Sequence, residues 1–140
     1  MILLTPELHA ELRMNADASD SDTSGHDPAP AVKFFNPIGA ATWLATELYD
    51  DGDTLFGLAD LGFGCPELGC FSLSELAGIR LPFGLQIERD IGFSTTASLS
   101  VWADTARRAG SISQAQSIIW RIESAPVSEL PTDPEQGKGG

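Results

Sequence analysis

An α+β fold, built on a small and mainly antiparallel sheet of about five strands, is what this chain of 140 residues predicts. Three observations carry that reading. Asp50-Asp51-Gly52-Asp53 is a turn cluster between two runs rich in Thr, Trp, Leu, Tyr and Phe, the pattern of two strands joined by a short loop. Ser72 with Glu75 three residues later makes a capping box, so a helix begins there. Ser98 to Gly110 carries a cap, an apolar stripe and a terminal glycine. The length suits one domain with a real core, read as residues 1–124. Residues 15–30 are expected as a flexible acidic linker inside it, and 125–140 as a disordered tail.

The elements follow in order. Thr5-Pro6-Glu7 starts a helix, with Thr as cap, Pro at the first helical position and an acid facing the dipole, and Leu8 and Leu12 carry it to about Met14. The stretch from Asn15 to Pro30 has turn formers and little apolar content, and His26 within it is expected to be inert. Ala31 to Phe35 is a short strand ended by Asn36-Pro37. If the hairpin loop has four residues, Tyr49 faces Thr54 and the register follows by counting outward. Leu44, Thr46 and Leu48 then share the core face with Leu55, Gly57, Ala59 and Leu61. The reverse face gathers Trp43, Ala45, Glu47 and Tyr49 with Phe56, Leu58 and Asp60. Aromatics and acids together are rarely left to water, so the chain itself or a partner covers them.

Leu68 to Phe71 makes a further strand, and the capped helix runs from Leu73 to about Gly78. Leu85 to Phe93 alternates Leu85, Ile87, Ile91 and Phe93 with Gln86, Glu88 and Asp90, which predicts an amphipathic strand. Arg89 falls on its apolar side and needs acceptors, for which Glu47 or Asp60 is the expected partner. The helix from Leu99 to Ala109 places Leu99, Trp102, Ala103, Ala106 and Ala109 on one stripe. Ser111 to Glu123 is either a helix, with Ile112, Ala115, Ile119 and Ile122 at helical spacing, or an extended segment.

The formal charge of −12 is unevenly placed. Six acids and one base precede Ala31, three acids and one base follow Ser124, and eleven acids against six bases lie between. Such a balance excludes direct nucleic-acid binding and anionic membranes, because phosphates must be met by clustered Lys and Arg. No run approaches the ~20 apolar residues of a membrane span, and the start lacks a basic leader, so a cytoplasmic protein is expected. Cys65 and Cys70 are expected as buried free thiols, consistent with a reducing compartment.

The blocks LLTPEL, VKFFNPIGAATWLATEL, DTLFGLADLG, PELGCFSLSEL, GLQIERDIGF and LSVWADTARRAG, in that order, resemble a bacterial family known as domain of unknown function 2958. The resemblance covers most of Met1 to Gly110 except the acidic linker. It implies an association with plasmids and other mobile elements, and it supplies no catalytic residues.

The chain is poorly equipped for several chemistries. Cys65 and Cys70 lack zinc-knuckle spacing and only His9 and His26 could add nitrogen ligands, so no metal and no cofactor are expected. Asp50, Asp51 and Asp53 read as a solvated turn. Glu47 and Asp60 share a face but stand roughly 13 Å apart, beyond the ~5–9.5 Å of paired catalytic carboxylates. The expected function is a non-catalytic protein-interaction module or accessory protein, with a protein as partner and Trp43, Glu47, Tyr49, Phe56, Asp60 and Arg89 as binding residues. One alternative is an enzyme whose acid/base site joins Glu47, Asp60, Glu67, Arg89 and Asn36 in a cleft. Another is an acidic mimic of nucleic acid.

Overall fold

The turn at Asp50–Asp53 forms as its composition requires, and its own carboxylates lock it. In the computed structural model, which describes residues 2–21 and 25–125, Asp51 Oδ1 accepts the N–H groups of Asp53 and Thr54, both at 2.8 Å, and Oδ2 accepts the Thr54 hydroxyl at 2.6 Å. Asp53 accepts the Ser72 hydroxyl at 2.7 Å and the Ser74 N–H at 2.8 Å. The Thr54 hydroxyl foremost for Asp51, and the Ser72 hydroxyl foremost for Asp53, hold both carboxyls below their ordinary value of 3.8. The expectation for residues 126–140 of the tail, and for residues 22–24 of the linker, lies outside the described residues.

Strands β1 (Val32–Phe35), β2 (Thr42–Leu48), β3 (Thr54–Asp60), β4 (Glu67–Ser72) and β5 (Glu88–Arg89) form one sheet in the order β4-β3-β2-β1-β5. Every pairing in it is antiparallel. Helix α1 (Pro6–Ser21) precedes the sheet, α2 (Leu73–Gly78) follows β4, and α3 (Leu99–Ala109) and α4 (Ile112–Glu123) close the chain. The α+β class read from the sequence is therefore the class observed.

Next to the turn the hairpin register is as counted, with Tyr49 N–H donating to Thr54 O at 2.8 Å and Glu47 opposite Phe56. Beyond it a bulge at Thr46 intervenes, and Ala45 pairs with Gly57, Leu44 with Leu58 and Trp43 with Ala59. One extra residue exchanges the faces of everything upstream. Trp43 and Ala45 join Leu48 and Leu55 in a core with Leu3, Leu12, Phe34 and Leu76. Leu44 crosses to the other face and packs with Leu58, Trp102, Ile112 and Ile119. The expected grouping of Leu44 with Leu48, and of Trp43 with Glu47, is thus corrected. All seven residues of β2 are buried, so alternation in that strand could not report its register. Helices α1 and α2 cover one face of the sheet, and α3 and α4 the other.

Helix α1 outruns its expected end at Met14 by two turns. Leu12 and Ala16 continue the buried stripe, Arg13 and Asp17 pair at 2.9 Å across one turn, and the Thr5 hydroxyl caps Leu8 N–H at 3.1 Å. More decisive is a tertiary bond. β1 ends short of the last residues of β2, where Arg13 Nη1 donates to Leu48 O at 2.7 Å and Asn15 Nδ2 to Thr46 O at 2.9 Å. The side chains of α1 thereby serve the backbone that a neighbouring strand would serve. After the helix, residues 25–30 are anchored to α3, since Leu99 N–H donates to Pro28 O at 2.9 Å and Asp27 binds the backbone and hydroxyl of Ser100. Residues 15–21 and 25–30 are therefore not the linker that composition suggested.

The strand expected over Leu85–Phe93 shrinks to Glu88–Arg89. Asp90 Oδ1 accepts Gly92 N–H at 3.0 Å and Asp90 O accepts Phe93 N–H at 3.2 Å, a turn that ends the ladder. Ile91 is consequently exposed, while Phe93 packs on Trp102 with ring centroids 5.8 Å apart. Helix α3 has the predicted limits, with Ser98 as cap and Gly110 in the left-handed conformation at φ 96. Of the two readings for residues 111–123 the helix is observed, capped by Ser111 on Gln114 N–H. Its buried face is Ile112, Ala115, Gln116 and Ile119; Ile122, expected inward, faces out.

Candidate functional site

Glu47, Phe56 and Cys70 occupy one row across β2, β3 and β4. Tyr49 lies one step along the same face, and the Cys70 thiol donates to its Oη at 3.8 Å. The last turns of α1 lie beside this end of the sheet, and the segment after them carries His26, which acts electrostatically on Glu47. Arg13, Ala16, Asp17, Asp20, Tyr49 and Asp50 line a hollow of about 250 Å³ beside it. Glu47 is 8% exposed. Burial pushes its carboxyl above the ordinary 4.5 and Asp20 adds to the push, while His26 and the Ser19 hydroxyl oppose it. Tyr49 is pushed up to about 12, first by burial and then by its bond to Cys70 and the nearby Glu47 and Asp20. His26 Nε2 is buried with no hydrogen-bond partner among the described residues.

A carboxyl whose folded-state value is raised favours the fold below the ordinary 4.5 and loses that contribution as pH climbs through the raised value. Glu47→Gln keeps the shape and removes the ionisation. The variant should melt with wild type near pH 4 and above it at pH 7, the gap opening as pH rises past the ordinary carboxylate value. Thermal unfolding followed across that range checks this. A variant less stable at pH 7 would mean that Glu47 is held by interactions its ionised form needs.

The other residues read from the sequence are dispersed. Asp60 is 1% exposed at the far end of the hairpin, its Oδ1 accepting Gly62 N–H and its Oδ2 accepting Ile112 N–H, both at 2.9 Å. Phe34 pairs with both Trp43 and Arg89, which puts Arg89 on the Trp43 face, away from Glu47 and Asp60. Its Nη1 donates instead to Ile2 O at 2.7 Å, so the expected ion pair is replaced. Asn36 accepts Ile38 N–H at 2.9 Å and shapes the β1–β2 turn. Glu67 is exposed on β4 beside a hollow of about 260 Å³ lined by Ala59, Leu61, Phe63 and Cys65. Trp43 is buried in the core. The structure thus brings together Glu47, Tyr49 and Phe56, and separates Trp43, Asp60, Glu67, Arg89 and Asn36 from them.

Sequence reasoning missed His26, Ser19 and Asp20 as neighbours of Glu47, and Cys70 as the partner of Tyr49. The signal for α1 was present, because Leu8, Leu12 and Ala16 keep a four-residue spacing. Both cysteines are exposed, not buried as expected, since Cys65 lies in the β3–β4 loop and Cys70 on an edge strand. Among the described residues no three His, Cys, Asp or Glu side chains gather as metal ligands would, and no helix is long and apolar enough to cross a membrane.

A second candidate surface lies on α3 and α4. Thr105, Arg108, Ala109 and Ile118 line a hollow of about 310 Å³, and one helical turn further along the two helices come Val101 and Ile122. Val101, Ile118 and Ile122 are 47%, 37% and 71% exposed. The helix pair that carries them is rigidly held. Glu123 Oε2 accepts the Thr95 hydroxyl at 2.7 Å and Thr96 N–H at 2.8 Å, joined by the Thr96 hydroxyl and Ala97 N–H at 3.2 Å. Burial raises that carboxyl, but these four donors together hold it below its ordinary 4.5.

No curated protein and no solved structure matches the chain. Residues 3–113, which span α1 to the first turn of α4, match the model of the family described as Protein of unknown function (DUF2958), and the chain belongs to that family.

Proposed function

We propose that the protein is a non-catalytic interaction module that binds another protein, acting in the bacterial cytoplasm as an accessory of a plasmid or other mobile element. One observation carries the reading: Val101, Ile118 and Ile122 form an exposed aliphatic seam on two helices that turn Leu99, Trp102, Ala106, Ile112 and Ile119 inward, while Trp120 is exposed elsewhere on α4. Branched aliphatic groups set at one-turn intervals along a groove are what an amphipathic helix of a partner recognises. Trp43, the aromatic first offered for this role, is committed to the core. The carboxylates of Asp51, Asp53, Asp60 and Glu123 are engaged by backbone N–H and hydroxyl groups of the chain, an arrangement that disfavours the phosphate-mimic reading.

Affinity capture with the purified protein tests the proposal, using Ile118→Lys/Ile122→Lys as comparison. Both side chains are exposed, so melting should shift by less than about 0.5 kcal/mol, while recovery of the specific partner should fall by about tenfold or more. Equal recovery by both proteins would sink the reading.

One observation favours a second reading as an enzyme. Glu47, held above its ordinary value and within the electrostatic influence of His26, whose buried Nε2 has no hydrogen-bond partner among the described residues, is a fit general acid or base. Such a site would consist of Glu47 with His26, beside the hollow under α1, in place of the Asp60, Glu67 and Arg89 set. If Glu47→Gln is more stable at pH 7, the acid is retained against stability, which supports a chemical role.

A further inference from the structure

We propose that β4 takes up an extended, lysine- or arginine-bearing segment of a partner protein as a sixth strand. The inference rests on the reading of the protein as an interaction module, but uses a different surface. β4 is an edge of the sheet, and its pairing with β3 runs unbroken from Ser72 opposite Thr54 to Glu67 opposite Ala59. Leu73 N–H donates to Asp53 O at 2.8 Å, which fixes the phase of the ladder. Since hydrogen-bonded and non-bonded pairs alternate, residues 67, 69 and 71 turn their backbone groups toward β3, whereas Leu68 and Cys70 turn theirs outward.

Other open strand backbone in the sheet is covered or short. Arg13 and Asn15 close the end of β2, and the opposite edge, β5, has only two residues. β4 has six residues and no proline, lysine or bulge, so it lacks the usual devices that blunt an edge. Leu68 and Cys70 are exposed along it, and the hollow between Phe63 and Glu67 offers room for a visiting side chain at one end.

Charge selects the visitor. Residues 34–79 contain seven acids and no Lys or Arg; Glu67 is on this strand, Asp53 bonds Ser72 at its end, and Glu75 follows in α2. A second copy would bring the same acids, whereas a basic extended segment complements them.

The test uses the full chain and a synthetic peptide of ~8 residues, a common strand length, alternating lysine with valine and threonine. A glutamate version and a version N-methylated on alternate amides serve as comparisons. Amide exchange at Leu68 and Cys70 should slow about tenfold on adding the lysine peptide, and neither comparison peptide should do this. Leu68→Pro deletes one outward donor without touching the β3 ladder and should lose the peptide. Leu68→Lys, which keeps the backbone and adds a repelling charge, should weaken it as well. The Ile118→Lys/Ile122→Lys variant should bind the peptide like wild type, so failure at the seam and failure at this edge are read separately. Protection elsewhere, or equal binding of lysine and glutamate peptides, would overturn the proposal. So would protection of Leu68 and Cys70 that grows with protein concentration alone, which would make a second copy the occupant.

Discussion

Gly57→Ala is expected to cost at least about 3 kcal/mol and to lower the melting temperature by roughly 10 °C or more. A Cβ at position 57 would stand 1.8 Å from Leu44 O and 2.8 Å from Ala45 Cα, both of them backbone of the paired strand at the bulge. No rotamer relieves such a clash; β2 and β3 must part, or the bulge must disappear and carry Trp43 and Leu44 to the wrong faces. Gly69 supplies the control. It sits directly opposite Gly57 on β4, yet a Cβ there meets nothing within 4 Å. Gly69→Ala should therefore leave stability within about 0.5 kcal/mol of wild type. Thermal or urea unfolding of the two variants side by side decides the matter, and similar losses in both would mean that the bulge does not need a bare backbone.

Asp60→Ala should be the second large effect, at about 3 kcal/mol, with Asp60→Asn near 2. The buried carboxylate is the common acceptor of Gly62 N–H in the β3–β4 turn and Ile112 N–H at the start of α4. It also presents negative charge to the positive end of that helix. Alanine leaves the buried Ile112 N–H and the partly buried Gly62 N–H without their acceptor. The amide of asparagine retains one acceptor and turns a donor toward the other N–H. Because the bond to Ile112 joins α4 to the sheet, hydrogen exchange should quicken first across Ile112–Glu123, with β2 and β3 keeping their protection. Uniform loss of protection throughout the chain would instead place Asp60 at the centre of global folding.

Much of this architecture was legible because local chemistry dictated it. Thr5, Ser72, Ser98 and Gly110 each bound a helix end through a short-range hydrogen bond or a left-handed backbone, and such signals depend on neighbours in sequence. The register failed at Thr46 for the opposite reason. β2 is apolar toward both faces, so period-two alternation carries no information there, and Gly57 in mid-strand was the remaining sign of a bulge. The extension of α1 was hidden because Asn15 and Arg13 act through bonds to residues 31 and 35 positions away. Exposure of Cys65 and Cys70 follows from which strand lies at the edge, a property of topology that residue type does not encode. The surroundings of Glu47 were missed with α1, since Ser19 and Asp20 hang from its last turn and His26 from the segment after it.

The service that Arg13 and Asn15 perform for β2 makes the first helix something other than an accessory cover. Were it cut away or melted, two carbonyl groups in the middle of the sheet would become a template for foreign strands. Damage to α1 should accordingly show itself as insolubility before any loss of helical signal from α3 and α4, and expression tags fused ahead of Leu3 will be tolerated only where they leave those two side chains at their posts.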